Sequence, residues 1–130
     1  MWKTILTIAS ILIIGIIMFN MFTKQSNGID ISIDEFKEKF EEEQGVVIDV
    51  RTQEEYEEGH LVKTDKLLDF SNGEFQESLS ELDKEKTYYL YCRTGNRSGQ
   101  AARIMKSEGF ENVYNVGGFE DLANGGFEAE

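Results

Sequence analysis

Two short runs constrain the fold of this chain more than any other feature. VVIDV (Val46–Val50) and TYYLYC (Thr87–Cys92) are β-branched or aromatic and lack a regular apolar–polar alternation. A strand with one wet face alternates, so strands like these are covered on both faces. Such strands lie in a mostly parallel sheet with helices on either side. The intervening stretches supply those helices. Ser32-Ile-Asp-Glu35 fits a capping box, and Phe36 and Phe40 follow at helical spacing, which predicts a helix over 33–43 that ends at Gly45. Thr52-Gln-Glu-Glu55 is a second capping box, opening a short helix that stops at Gly59. Leu67–Phe70 reads as a brief strand, and Phe75, Leu79 and Leu82 mark a helix over about 73–82. Ala101, Ala102, Met105 and Gly109 describe a helix with a small-residue face. Asn112–Val116 is a third strand closed by Gly117-Gly118, and Phe119–Ala123 allows one more helical turn. The expected class is α/β with three layers around a central, mostly parallel sheet.

The first 23 residues stand apart. MWKTILTIASILIIGIIMFNMFT carries one charged side chain, Lys3, and Lys24 follows it. The run between the lysines is long enough to span a hydrocarbon core as a helix. It is apolar on every face, unlike a core helix, and no small-residue cleavage site follows Ile17. The expected organisation is a transmembrane signal anchor over 1–23, a polar linker over 24–30 (KQSNGID) and one domain over 31–130. Membrane contact would run through residues 4–23, and Lys3 with the α-amine favours an extracytoplasmic domain. With Lys3 and Lys24 set aside, 11 basic residues face 25 acidic ones, a net charge of −14 for residues 25–130. That surface argues against nucleic acid. A single cysteine makes no internal disulfide, and one histidine with one cysteine cannot close a metal shell. No cofactor is implied.

The cysteine lies in YCRTGNRS (Tyr91–Ser98), between a strand and a helix. In a parallel sheet that is the edge where ligands bind, and the free amides and dipole of a helix N-terminus favour a thiolate. The loop can curl its amides into an anion-binding nest, with Gly95 supplying the permissive backbone. Arg93 and Arg97 add positive charge against the surrounding field. Cys92 is therefore a candidate nucleophile toward a small anion such as thiosulfate or phosphate.

Four segments resemble the single-domain rhodaneses of the thiosulfate sulfurtransferase superfamily: Ser32–Phe40, IDVRTQEEYEEGHL (Ile48–Leu61), YCRTGNRS, and AARIMKSEGFENVYNVGGF (Ala101–Phe119). The resemblance implies the rhodanese fold and a Cys92 persulfide that carries sulfur from thiosulfate to cyanide or a thiol. It implies that the loop residues Arg93, Thr94, Gly95, Asn96 and Arg97 bind substrate, their amides holding the terminal sulfur and the two arginines the sulfonate. Asp49, Arg51 and His60 then support the fold near the site. The chain departs from the family after His60-Leu61, where VKTDKLLDF is more polar and charged, and Phe119 stands where tryptophan is common. Two other functions compete. A membrane-tethered persulfide carrier or binding module would show little turnover. A cysteine-dependent phosphatase would use a Cys-x5-Arg loop, whereas four residues separate Cys92 from Arg97 here.

Overall fold

The computed structural model describes residues 28–130. The elements are α1 (Ile33–Glu42), β1 (Val46–Asp49), α2 (Gln53–Glu58), β2 (Lys66–Leu67), α3 (Glu74–Ser78) with a following 3-10 turn (Leu79–Glu81), β3 (Thr87–Cys92), α4 (Asn96–Ser107), β4 (Asn112–Gly118) and α5 (Phe119–Asn124). The sheet order is β2-β1-β3-β4, and every pairing is parallel.

All six residues of β3 are buried. Tyr88, Leu90 and Cys92 face a core built with Ile48, Phe75, Ala101, Ala102 and Met105, so α3 and α4 cover that side. Tyr89 and Tyr91 face the opposite core with Phe36, Val47, Leu61 and Leu122, so α1 and α5 cover the other. The missing alternation of the sequence is this double cover.

Both helix starts keep the side-chain half of their capping boxes. Ser32 Oγ accepts from the Glu35 amide at 3.1 Å and Thr52 Oγ1 from the Glu55 amide at 3.2 Å. Several boundaries differ from the sequence expectation. β2 lies at Lys66–Leu67, not Leu67–Phe70; beyond it the Leu68 and Phe70 amides still reach the Asp49 and Val50 carbonyls at 2.9 and 3.1 Å, and the Asp69 carboxylate then turns the chain by accepting from the Ser71 amide at 2.8 Å and its hydroxyl at 2.6 Å. The helix expected over 73–82 starts behind Gly73, whose φ of +87° only glycine adopts freely, and tightens into the 3-10 turn after Ser78. β4 runs through Gly117-Gly118 instead of stopping there, with a register shift against β3 between Leu90 and Tyr91. α4 begins at Asn96, two residues before Ser98.

Two segments outside the helices add isolated backbone pairings. Ile29–Ile31 runs parallel to β4, with the Asn115 amide on the Ile29 carbonyl at 2.8 Å and the Ile31 amide on the Asn115 carbonyl at 3.1 Å. The end of the expected linker is thus part of the sheet. His60 and Glu130 exchange backbone hydrogen bonds of 2.9 Å, which pairs the chain's last residues antiparallel to the segment after α2. The expected anchor over 1–23, and the linker as far as residue 27, lie outside the described residues; among the described residues no helix is long and apolar enough to cross a membrane.

Phe36 is the fully buried side chain of α1, stacked on Phe127 with ring centroids 4.7 Å apart and tilted against Tyr89 at 4.8 Å. Phe36→Ala removes the contact through which α1 docks and is expected to cost about 3 kcal/mol in urea unfolding. A loss below about 1 kcal/mol would show that α1 is held by other means.

Candidate active site

Cys92 ends β3 with no exposed surface, and the chain then turns through Arg93–Gly95 into α4. Gly95 makes the turn possible with φ +95°. Its amide donates to Cys92 Sγ at 3.0 Å, and the Ser98 hydroxyl lies 3.3 Å from Sγ. The amides of Ser98 and Thr94 are also directed at the sulfur. Burial pushes the Cys92 thiol up, but these hydrogen bonds outweigh it, and its pKa lies below the ordinary thiol value.

The loop is pressed against β4. A Cβ on Gly118 would sit 2.5 Å from the Arg93 carbonyl oxygen, and one on Gly95 would sit 3.3 Å from Gly117 Cα. Gly118 on the strand and Gly95 on the loop let the two backbones come this close, while Gly117 serves by its φ of +102°.

The other sequence candidates divide into three groups. Arg93, Thr94 and Asn96 are exposed around the loop, and the Asn96 side chain accepts from Gln100 Nε2 at 3.3 Å. Arg97 turns toward α2, where its two terminal nitrogens bind the two oxygens of Glu55 at 2.8 and 2.9 Å. Asp49, Arg51 and His60 form a frame beside the loop. Arg51 grips the Asp49 carboxylate at 2.8–3.0 Å, donates to the Gly59 carbonyl at 2.7 Å and lies 4.6 Å from the Phe119 ring centre. His60 stacks on Tyr56 at 3.8 Å, with Nδ1 3.0 Å from the Tyr56 carbonyl and Nε2 3.2 Å from Glu130 Oε1. These contacts join β1, α2, α5 and the C-terminal segment.

A cavity of about 240 Å³ opens next to this frame, lined by Arg51, Glu55, Glu58, Arg93, Phe119 and Glu120. Arg93 of the loop and acidic residues of α2 and α5 thus line one cavity.

Sequence reasoning missed two participants. Glu55 reads as the reciprocal carboxylate of a capping box and keeps the Thr52 hydroxyl at 3.3 Å, yet both of its oxygens also bind Arg97 in a bidentate, charge-assisted pair. Asn115, in the middle of β4, hydrogen-bonds the loop through Gly95 and Ser98. The Gly-Gly turn two residues later was the available signal that β4 reaches the loop.

The Arg97 guanidinium, hydrogen-bonded to it, holds the Glu55 carboxyl down at about 2. A carboxylate depressed in the folded state stabilises it above the ordinary carboxylate pKa and loses that contribution as pH falls through the lowered value. Glu55→Gln is therefore expected to destabilise the protein by about 1 kcal/mol at neutral pH, the pair being partly exposed. The gap from the unsubstituted chain should close between about pH 5 and pH 2 in denaturant titrations. A gap that stays constant with pH would mean that the pair carries no such energy.

Comparison with known proteins agrees with this geometry. A putative sulfur carrier protein, YrkF, from Bacillus subtilis is 36% identical over 88 residues, covering 67% of this chain and 46% of that protein. The chain thus spans about half the length of that relative. The thiosulfate sulfurtransferase GlpE of Coxiella burnetii is 40% identical over 76 residues, covering 58% of this chain and 68% of that protein. The solution structure of the Helicobacter pylori protein hp1203 superposes with a TM-score of 0.62 at 33% identity, covering 78% of this chain and 88% of that one. The family model of the rhodanese-like domain matches residues 32–124, and the chain belongs to that family.

Proposed function

We propose that this protein is a sulfurtransferase that moves sulfane sulfur from thiosulfate, or a similar donor, to a thiol or cyanide through a persulfide on Cys92. The observation that carries this reading is the environment of Sγ: a buried thiol whose ionised form receives hydrogen bonds from the Gly95 amide and Ser98 hydroxyl at a helix N-terminus. The Cys92 thiolate attacks the outer sulfur of thiosulfate. A new S–S bond forms, the old one breaks, and sulfite leaves with the bonding pair. The persulfide's terminal sulfur carries the negative charge, which the loop amides stabilise as they did the thiolate. Cyanide then takes that sulfur as thiocyanate, or a thiol takes it as its own persulfide, and the Cys92 thiolate returns.

In this reading Arg93 and Arg97 bind the sulfonate. Arg97 keeps its pairing to Glu55 through two nitrogens and has further N–H donors, while Arg93 is exposed at the mouth of the loop. Because Cys92 has no exposed surface, entry of a donor requires movement of the side chains over the loop. The names of the relatives support both a transferase and a carrier. The carrier differs in delivering sulfur to a protein thiol with negligible cyanide turnover.

Intact mass after incubation of the full chain with thiosulfate, without reductant, is expected to show one added sulfur on Cys92 and none on Cys92→Ser. No addition to the unsubstituted chain rejects the proposal. Arg97→Ala should load sulfur roughly tenfold more slowly from thiosulfate while the lifetime of its persulfide is unchanged. Equal losses in both would remove Arg97 from sulfonate binding.

The same reading includes a single-pass membrane anchor at residues 4–23 with the domain on the extracytoplasmic side, supported by the apolar run and by Lys3 before it. Expressed in bacteria, the full chain should stay in the membrane fraction after alkaline extraction, and protease added outside spheroplasts should digest the domain. Release by alkali, or protection from the protease, overturns the anchor or its orientation respectively.

A further inference from the structure

Asn115 is buried on β4 and makes four side-chain hydrogen bonds. Its Nδ2 donates to the Gly95 carbonyl at 3.0 Å and to the Asp30 carboxylate at 2.8 Å. Its Oδ1 accepts from the Ser98 hydroxyl at 2.7 Å and from the Gly117 amide at 3.2 Å. Both partners of Nδ2 are acceptors and both partners of Oδ1 carry a hydrogen, so the network admits one orientation of the amide. Gly95 and Ser98 are also the residues whose amide and hydroxyl lie 3.0 and 3.3 Å from Cys92 Sγ. One side chain on β4 therefore touches both.

We propose that Asn115 is a positioning residue for the Cys92 thiolate, holding from β4 the two residues that donate hydrogen bonds to Sγ, with Asp30 bracing it from behind. The proposal deepens the sulfurtransferase reading and rests on it for its functional meaning. Asp30 lies before residues 32–124 that match the family, so the brace is made by the segment that leads into the domain.

The Ser98 hydroxyl has one hydrogen and two acceptors. While Cys92 is a thiol, that hydrogen points to Asn115 Oδ1 and the S–H can donate to Ser98 Oγ. When the thiol ionises, its proton leaves to solvent and the hydroxyl hydrogen turns to Sγ. Oδ1 keeps the Gly117 amide but no longer receives the hydroxyl hydrogen, so in the thiolate state Asn115 holds the site through Nδ2 on the Gly95 carbonyl. Without Asn115 the left-handed turn at Gly95 loses one of its restraints.

The charges around Cys92 do not change with this side chain. Arg97 of α4 faces the sulfur and is paired with Glu55 of α2. Asp69, after β2, faces Arg97; Arg93 follows Cys92 in the loop; and Asp30 lies beyond Asn115. Asn115→Ala leaves each of these in place, so any shift in the thiol comes from hydrogen bonding and geometry.

The test is the pH profile of iodoacetamide alkylation on the full chain, which has one cysteine. The midpoint of the unsubstituted chain should lie below the ordinary thiol value of about 8.5. Asn115→Ala should raise it by about one unit, a roughly tenfold loss of thiolate at a fixed pH below the midpoint. Ser98→Ala should raise it as well, and the shift of the double variant should depart from the sum of the two. An unchanged midpoint in folded Asn115→Ala, or additive shifts in the double variant, overturns the proposal. Should Asn115→Ala fail to fold, the Asn115 side-chain amide NMR signals of the unsubstituted protein decide the matter. They are expected to titrate with the alkylation midpoint and to lose that titration in Cys92→Ala; signals that do not follow the midpoint overturn the proposal. No sulfur donor enters these measurements. A chain that takes no sulfur from thiosulfate yet shows the shift rejects the sulfurtransferase reading alone, and the converse rejects the role of Asn115 alone.

Discussion

Burial of β3 on both faces organises the rest of this domain. Six consecutive buried residues need apolar cover above and below, and α3 with α4 on one side and α1 with α5 on the other supply it. Parallel neighbours follow, because each helical crossover returns the chain in the same direction. The last residue of the strand then lies at the carboxyl edge of the sheet, where the chain must leave the core and start α4. Cys92 occupies that place, so the packing that stabilises the domain also sets the thiol against a helix N-terminus.

The site balances opposing electrostatic effects. Taking the thiol out of water disfavours its ionisation, while directed amides and a hydroxyl favour it, and the hydrogen bonds win. Arg97 meets a second balance. Glu55 satisfies two of its donors and ties α2 to α4, which orders the guanidinium but places a carboxylate beside it. Within residues 25–130, of net charge −14, the loop is a local exception whose positive groups are partly compensated.

Much of the fold was legible because its signals are local. The unalternating runs, the two capping residues and the helical spacing of Phe36 and Phe40 each concern residues within one turn or strand. The loop was legible for the same reason, since YCRTGNRS carries its thiol, glycine and arginines in eight positions. Boundaries set by distant partners were not. The Arg93 carbonyl lies against Gly118 of β4, and the chain after β2 is turned by the Asp69 carboxylate. Only the capping role of Glu55 could be read locally, because its second partner, Arg97, lies on another helix, 42 positions away.

From the sequence alone follow the α/β class, the strand-to-helix placement of Cys92 and the likeness to rhodaneses, because short-range periodicity and contiguous motifs encode them. The tertiary structure decided which groups touch the sulfur and what holds those groups. The Glu55–Arg97 pair and the Asp30–Asn115–Ser98 connections bring together residues far apart in the chain. Their existence depends on how sheet and helices pack, which no local pattern records.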